Sequence, residues 1–255
     1  MKKKRFSFGK LAAKHDPQNR TLKMAKYMAN VTDPPECYDN INLVYHKIGE
    51  RDPDIILRPD VFFPLDGNDV YGDCVVAGMA HYLTLTNGRI GELIIPPAKE
   101  VIKFYKKLSG CKDQGLVMFD TLKYWRRRPF YNHTIDLFGR IDLKNHKLVK
   151  QCIWLFGGVD LGFQVQRDAI KDFEEGKTWT PGPTDGGGHC VIAGAYDNET
   201  VTLLTWGGVI KGTWQWWDAM VDEAFAILPP EAKEPDFAPG FLYDELIKDL
   251  QSITT

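Results

Sequence analysis

Two stretches of this chain carry the residue types of acyl-transfer chemistry. They are GDCVVAGMAHYL at 72–83 and GGGHCVIAGAYDNETVTLLTWGG at 186–208. Cys74 follows Gly-Asp and opens a run with Val75, Met79, Tyr82, Leu83 and Leu85 at helical intervals. A thiol in the first turn of a helix faces unpaired backbone N–H groups and the positive end of the dipole. Both favour thiolate and lower the thiol pKa. A thiolate used as a nucleophile also needs a proton-transfer partner, and His189, opening a strand after three glycines, is of the right type. The glycines, Gly188 among them, allow a backbone or a substrate to approach closely. The plainer alternative is a core cysteine and a structural histidine, since free cysteine is among the most buried residue types. Gly-Asp before the cysteine, the helix start after it and the distant Gly-Gly-His favour the catalytic position. Cys190 alternates to the other side of its strand and is expected in the core.

Helices come first and strands second along the chain. Residues 1–60, rich in Pro, Asp and Lys, read as an arm wrapping the body, with helices near 20–30 and 40–48. A turn-rich stretch, FFPLDGNDVYGD, leads to the Cys74 helix, which TNG ends at Gly88. Further helices are expected in 97–110, 117–129 and 144–156; Gly110 suits an exit, and Arg126 to Arg128 a solvated helix end. Beyond them, GGVDLGFQV reads as a strand, HCVIAGAYDNETVTLLTW as a hairpin turning at Asp197-Asn198, and EAFAILP as a closing strand. This order points to an α+β chain rather than alternating βαβ units. The expected layout is an arm (1–60), a helical lobe with Cys74 (61–145), a β-rich lobe with His189 (146–230) and a C-terminal tail (231–255). Trp214, Trp216 and Trp217 have the makings of a carbohydrate-stacking face, but packing between strand and helix is the better reading.

Composition removes several function classes. The 255 residues are 44% hydrophobic and 26% charged with a net charge of -2, so no global field draws the chain to nucleic acid or an acidic membrane. No apolar stretch approaches membrane-spanning length, and the basic start, MKKKRFSFGKLAAKH, lacks the apolar core of a secretory signal. The five cysteines are scattered, without a C-x-x-C pair, which speaks for a reducing, cytoplasmic setting rather than a disulfide framework or zinc spacing. No metal or cofactor is expected.

Cysteine at a helix start in the first lobe, histidine opening a strand and Trp-Gly after the next strand together resemble the papain-like cysteine peptidases, over roughly 60–228. The resemblance implies a two-lobe papain-like fold with a cleft between Cys74 and His189. It also implies an oxyanion role for Asn68, six positions before the cysteine, where the family carries Gln. KDQGLVMFDTLKYW resembles the family's glycine-containing cleft loop, which makes Gly115 a substrate-binding candidate. Trp206 matches the family's tryptophan over the histidine. The family's aromatic after the nucleophile is Val75 here, and its Asn-Ser-Trp-Gly is Leu204-Thr205-Trp206-Gly207. Thr205, sixteen positions after His189, therefore stands where the residue that orients the imidazole is expected. More narrowly, GDCVVAGMAH, FGGVDLGF, GGGHCV and LLTWGG look like papain-like proteins of tailed phages, prophages and bacterial genomes. The implied activity is cleavage of a peptide or other amide by a Cys-His pair. The alternative is a catalytically lapsed scaffold acting as a virion or interaction protein, partnered by phage virion components, in the host cytoplasm or the virion.

Overall fold

The structure, a computed structural model, describes residues 6–14, 27, 33–234 and 237–253. The helix expected near 20–30 lies almost entirely outside these residues. After the two-residue strand β1 (Tyr38–Asp39) come helices α1 (Asn40–Arg51), α2 (Pro59–Phe62), α3 (Cys74–Arg89), α4 (Ala98–Ser109) and α5 (Met118–Trp125). Strand β2 (Leu137–Arg140), helix α6 (His146–Phe156), strand β3 (Val159–Gln166) and helix α7 (Ala169–Glu174) follow. Then come β4 (Thr184–Tyr196), β5 (Thr200–Thr205), β6 (Gly208–Thr213), α8 (Trp214–Met220), β7 (Val221–Leu228) and α9 (Tyr243–Ile253). The strands form one antiparallel sheet in the order β2-β7-β3-β4-β5-β6, with β1 paired to β4.

Strand alternation decides which helices each sheet face meets. Cys190 and Ile192 of β4, Leu204 of β5 and Phe225 and Ile227 of β7 pack with α1, α3, α4 and α5. Val191, Ala193, Leu203, Ala224 and Ala226 pack with Cys152 and Ile153 of α6 and the tryptophans of α8 on the other face. Helix α3 is buried on every side, consistent with its apolar residues. Two of its polar side chains turn to its own backbone: Thr86 Oγ1 donates to Tyr82 O at 3.0 Å and Asn87 Nδ2 to Leu83 O at 3.0 Å.

Some boundaries differ from the sequence expectation. Gly88 is not a cap but an interior residue of α3. A Cβ there would lie 2.4 Å from Val44 Cγ1, so the glycine serves close packing against α1, and the left-handed glycine is Gly91. Helix α5 ends at Trp125, leaving Arg126 to Arg128 exposed beyond it. Gly110 is the left-handed exit of α4 as expected. The hairpin turn runs through Asp197 to Glu199, with Asp197 Oδ1 accepting from the N–H groups of Glu199 and Thr200 at 2.9 and 2.7 Å. Trp214, Trp216 and Trp217 are buried, so they pack rather than present a stacking face. Among the described residues no helix is long and apolar enough to cross a membrane.

Candidate active site

Cys74 is the first residue of α3 and is 1% exposed. The thiol is buried in the same cluster as Cys190 of β4, the residue that follows His189. His189 is 1% exposed. In the β4–β5 pairing Ile192 faces Leu204, so Thr205 is a diagonal neighbour of His189. Its hydroxyl lies 2.8 Å from His189 Nε2. That leaves Nδ1, which is buried and finds no hydrogen-bond partner among the described residues. Trp206 sits at φ 48° in the β5–β6 turn and stacks on the imidazole, with centroids 4.7 Å apart and planes at 21°. Both neighbours of the ring are residues to which the family resemblance pointed.

Asn68 occupies a tight turn, its N–H donating to Leu65 O at 3.0 Å, and its side-chain amide donates to Asp73 Oδ1. One amide hydrogen is thereby committed to Asp73. Burial pushes the Asp73 carboxyl up to about 7, so it is largely protonated in mildly acidic solution. Nothing in the sequence marks Asp73 as the holder of Asn68, because that contact depends on the 65–71 turn folding back onto the start of α3.

The larger departure is the arm. Residues 6–11 lie directly across the site. Ser7 N–H donates to Asn68 O at 2.6 Å, Lys10 N–H to Gly188 O at 3.0 Å, Leu11 N–H to Leu116 O at 2.9 Å and Leu116 N–H to Gly9 O at 2.7 Å. Phe6 stacks on Trp206 at 4.9 Å, and Phe8 meets His189 edge-on at 6.0 Å. Gly115 and Gly188 make this fit possible: a Cβ on Gly115 would lie 2.1 Å from Gly9 O, and one on Gly188 2.4 Å from Lys10 O. The two glycines singled out as substrate-binding candidates are thus the ones against which the arm's backbone lies. The sequence shows an arm but carries no signal for where it docks.

Burial reverses the expected ionisation. Burial pushes the Cys74 thiol up to about 12, and burial pulls His189 down to about 3. The helix end does favour thiolate, but a site sealed from water penalises both charged forms more strongly. Thiol and imidazole are therefore neutral in this state, not an ion pair. Cys190 donates its S–H to Asp160 Oδ1 at 3.0 Å and belongs to the core as expected. Among the described residues no group of three or more His, Cys, Asp or Glu side chains is placed to hold a metal ion.

The fold is that of the papain-like cysteine proteases, with a helical lobe carrying the cysteine and a β-rich lobe carrying the histidine, as the sequence led us to expect. Xylellain, a cysteine protease of Xylella fastidiosa, superposes with a TM-score of 0.62 at 15% identity, over 90% of this chain and 98% of its own. A Carica candamarcensis cysteine protease in complex with E-64 matches at 0.50 and 15% identity, over 76% and 99% of the two chains. Procathepsin B of Trypanosoma congolense matches at 0.53 and 13%, over 88% and 86%. No protein-family model matches the chain, and no curated protein matches it.

Proposed function

We propose that this chain is a cysteine peptidase or amidase whose nucleophile is Cys74 and whose proton carrier is His189, kept latent by residues 6–11. The observation that supports it best is the histidine. Thr205 takes Nε2 at 2.8 Å, which sets the ring's orientation and leaves Nδ1 buried and without a hydrogen-bond partner among the described residues. A histidine kept only for packing has no reason to leave a buried nitrogen unsatisfied.

When the arm leaves, water returns to the site, and the start of α3 can stabilise thiolate while His189 carries the proton. The sulfur then attacks the amide carbonyl carbon, and the oxyanion is met by the Cys74 N–H and the free hydrogen of the Asn68 amide. His189 gives its proton to the departing amine as the C–N bond breaks. Water, deprotonated by His189, then hydrolyses the thioester and releases the acid and the thiol. Gly115, Gly188 and Trp206 line the path that a peptide substrate takes. A second reading, a lapsed papain-like scaffold acting as a phage virion or interaction protein, has two observations in its favour. The site is covered and neutral, and a threonine stands in place of a stronger acceptor.

The deciding experiment measures hydrolysis of a fluorogenic peptide mixture by the full chain opened by Gly9→Ala, beside the same protein carrying Cys74→Ala or His189→Ala. Turnover lost in both site variants supports the peptidase. No turnover, with Cys74 titrating as an ordinary thiol near 8.5, supports the scaffold.

A further inference from the structure

Lysine is seldom buried without a partner, because removing an ammonium from water costs far more than its alkyl stem gains. The Lys10 side chain is nevertheless 0% exposed. It points from the arm into a pocket of the body, with Nζ 2.6 Å from Asp222 Oδ1 and 3.3 Å from Glu223 Oε1. The walls around its stem come from two other elements. A Cβ on Gly162 of β3 would lie 2.4 Å from Lys10 Cε and 2.8 Å from Met118 Sδ, so stem, strand and α5 are in contact.

The carboxylates at the pocket's end are held without Lys10. Gln164 Nε2 donates to Asp222 Oδ2 at 2.9 Å, and Arg140 reaches Glu223 Oε2 at 3.2 Å. Glu223 Oε1 is buried and has no hydrogen-bond donor among the described residues; the Lys10 ammonium is the cation it faces. With the arm out, two carboxylates and one guanidinium remain, so the pocket keeps a net negative charge. The neighbouring residue, Gly9, packs on Gly72, two residues before Cys74: a Cβ on Gly9 would lie 1.7 Å from Gly72 O. Lys10 itself is held through its N–H to Gly188 O. A side chain in this pocket thus belongs to a residue next to one packed against the chain just ahead of Cys74.

We propose that the pocket formed by Gly162, Met118, Asp222 and Glu223 selects a lysine or arginine side chain of the peptide substrate, and that Lys10 is its resident intramolecular occupant. This rests on the peptidase reading and adds the substrate class to it. The narrow neck between Gly162 and Met118 passes an unbranched stem, and the carboxylates bind its charged head. An acidic side chain meets like charge there, and an apolar one leaves Glu223 Oε1 unpaired.

The test uses the full chain carrying Lys10→Met, which removes the resident charge, and measures binding by titration calorimetry. The probes are acetylated, amidated Phe-Ser-Phe-Gly-Xaa-Leu peptides with lysine, norleucine or glutamate at Xaa. The lysine peptide is expected to bind at least about tenfold tighter than the norleucine one, the scale of one charge-assisted hydrogen bond, and the glutamate peptide weakest. Adding Asp222→Asn and Glu223→Gln should erase the difference. Equal binding of lysine and norleucine peptides, no binding of the lysine peptide, or a preference that survives the carboxylate changes would each overturn the subsite. Turnover is scored separately. Charge-selective binding without hydrolysis keeps the subsite and removes the peptidase, whereas hydrolysis indifferent to basic residues does the reverse.

Discussion

Gly9→Ala tests the covered site directly. A Cβ at this position would lie 1.7 Å from Gly72 O, 2.0 Å from Gly72 C and 2.4 Å from Gly72 Cα. The obstacle is backbone, and it is backbone that cannot easily retreat. Gly72 N–H is fixed to Asp113 Oδ1 at 2.9 Å, and Gly72 lies two residues before Cys74. Relief therefore has to come from the arm, by more than about 1 Å if an ordinary carbon–oxygen contact is to be restored. A shift of that size carries the Leu116 N–H to Gly9 O and Lys10 N–H to Gly188 O bonds, now 2.7 and 3.0 Å, beyond hydrogen-bonding range. At a net worth of about 1 kcal/mol each, their loss raises the open population by roughly 30-fold. The assay is the rate of Cys74 alkylation by iodoacetamide at pH 7, mapped by mass spectrometry, with the exposed Cys37 and Cys111 as internal standards. Cys74 should react roughly 30 times faster in Gly9→Ala, and the two standards should not change. Equal Cys74 rates in the two proteins, at equal melting midpoints, would refute the close approach of Gly9 to the site.

Thr205→Val removes the partner of His189 Nε2 and should cost about 1–3 kcal/mol in urea unfolding; in the Gly9→Ala background it should also slow Cys74 alkylation, and an unchanged rate removes Thr205 as the orienting group. Asn68→Ala in the same opened background should lower kcat by about 100-fold or more while thiol reactivity is kept, as expected for an oxyanion donor; equal loss of both makes Asn68 a turn residue only. Stability should respond to pH through groups of opposite sign. His189, held neutral with its pKa lowered from 6.5 to about 3, contributes stability that is present above 6.5 and lost as pH falls toward 3. Asp160, whose carboxyl burial pushes up from 3.8 to about 7, contributes stability that is present below 3.8 and lost as pH rises through 7. Asp160→Asn should therefore gain on the wild type in urea midpoint between pH 5 and pH 8, and a difference that stays constant over that range refutes a buried, protonated Asp160.

Much of the site was legible in the sequence, because its parts are local. A cysteine after Gly-Asp at the head of an apolar helix, a histidine after three glycines and a threonine one hairpin later are each set by a few neighbouring residues. The β4–β5 register turns the sixteen-residue interval between His189 and Thr205 into a contact of 2.8 Å. Strand alternation likewise sends Cys190 to the core. Element boundaries were less legible where packing overrules local preference: Gly88 reads as a cap, but the space against Val44 makes it a helix interior.

What only the tertiary structure decided is the state of the site. The pKa of Cys74 reads as lowered from its place at a helix start, yet the dominant influence is burial in a cluster drawn from distant parts of the chain. The pocket for Lys10 is assembled from β3, α5 and β7, whose residues are more than a hundred positions apart at the extremes and share no sequence pattern. Local sequence determines which groups are offered and which way a strand or helix turns them. Desolvation and ion pairing depend on everything within several ångströms, whatever its place in the chain, so ionisation and specificity emerge only once the chain has folded.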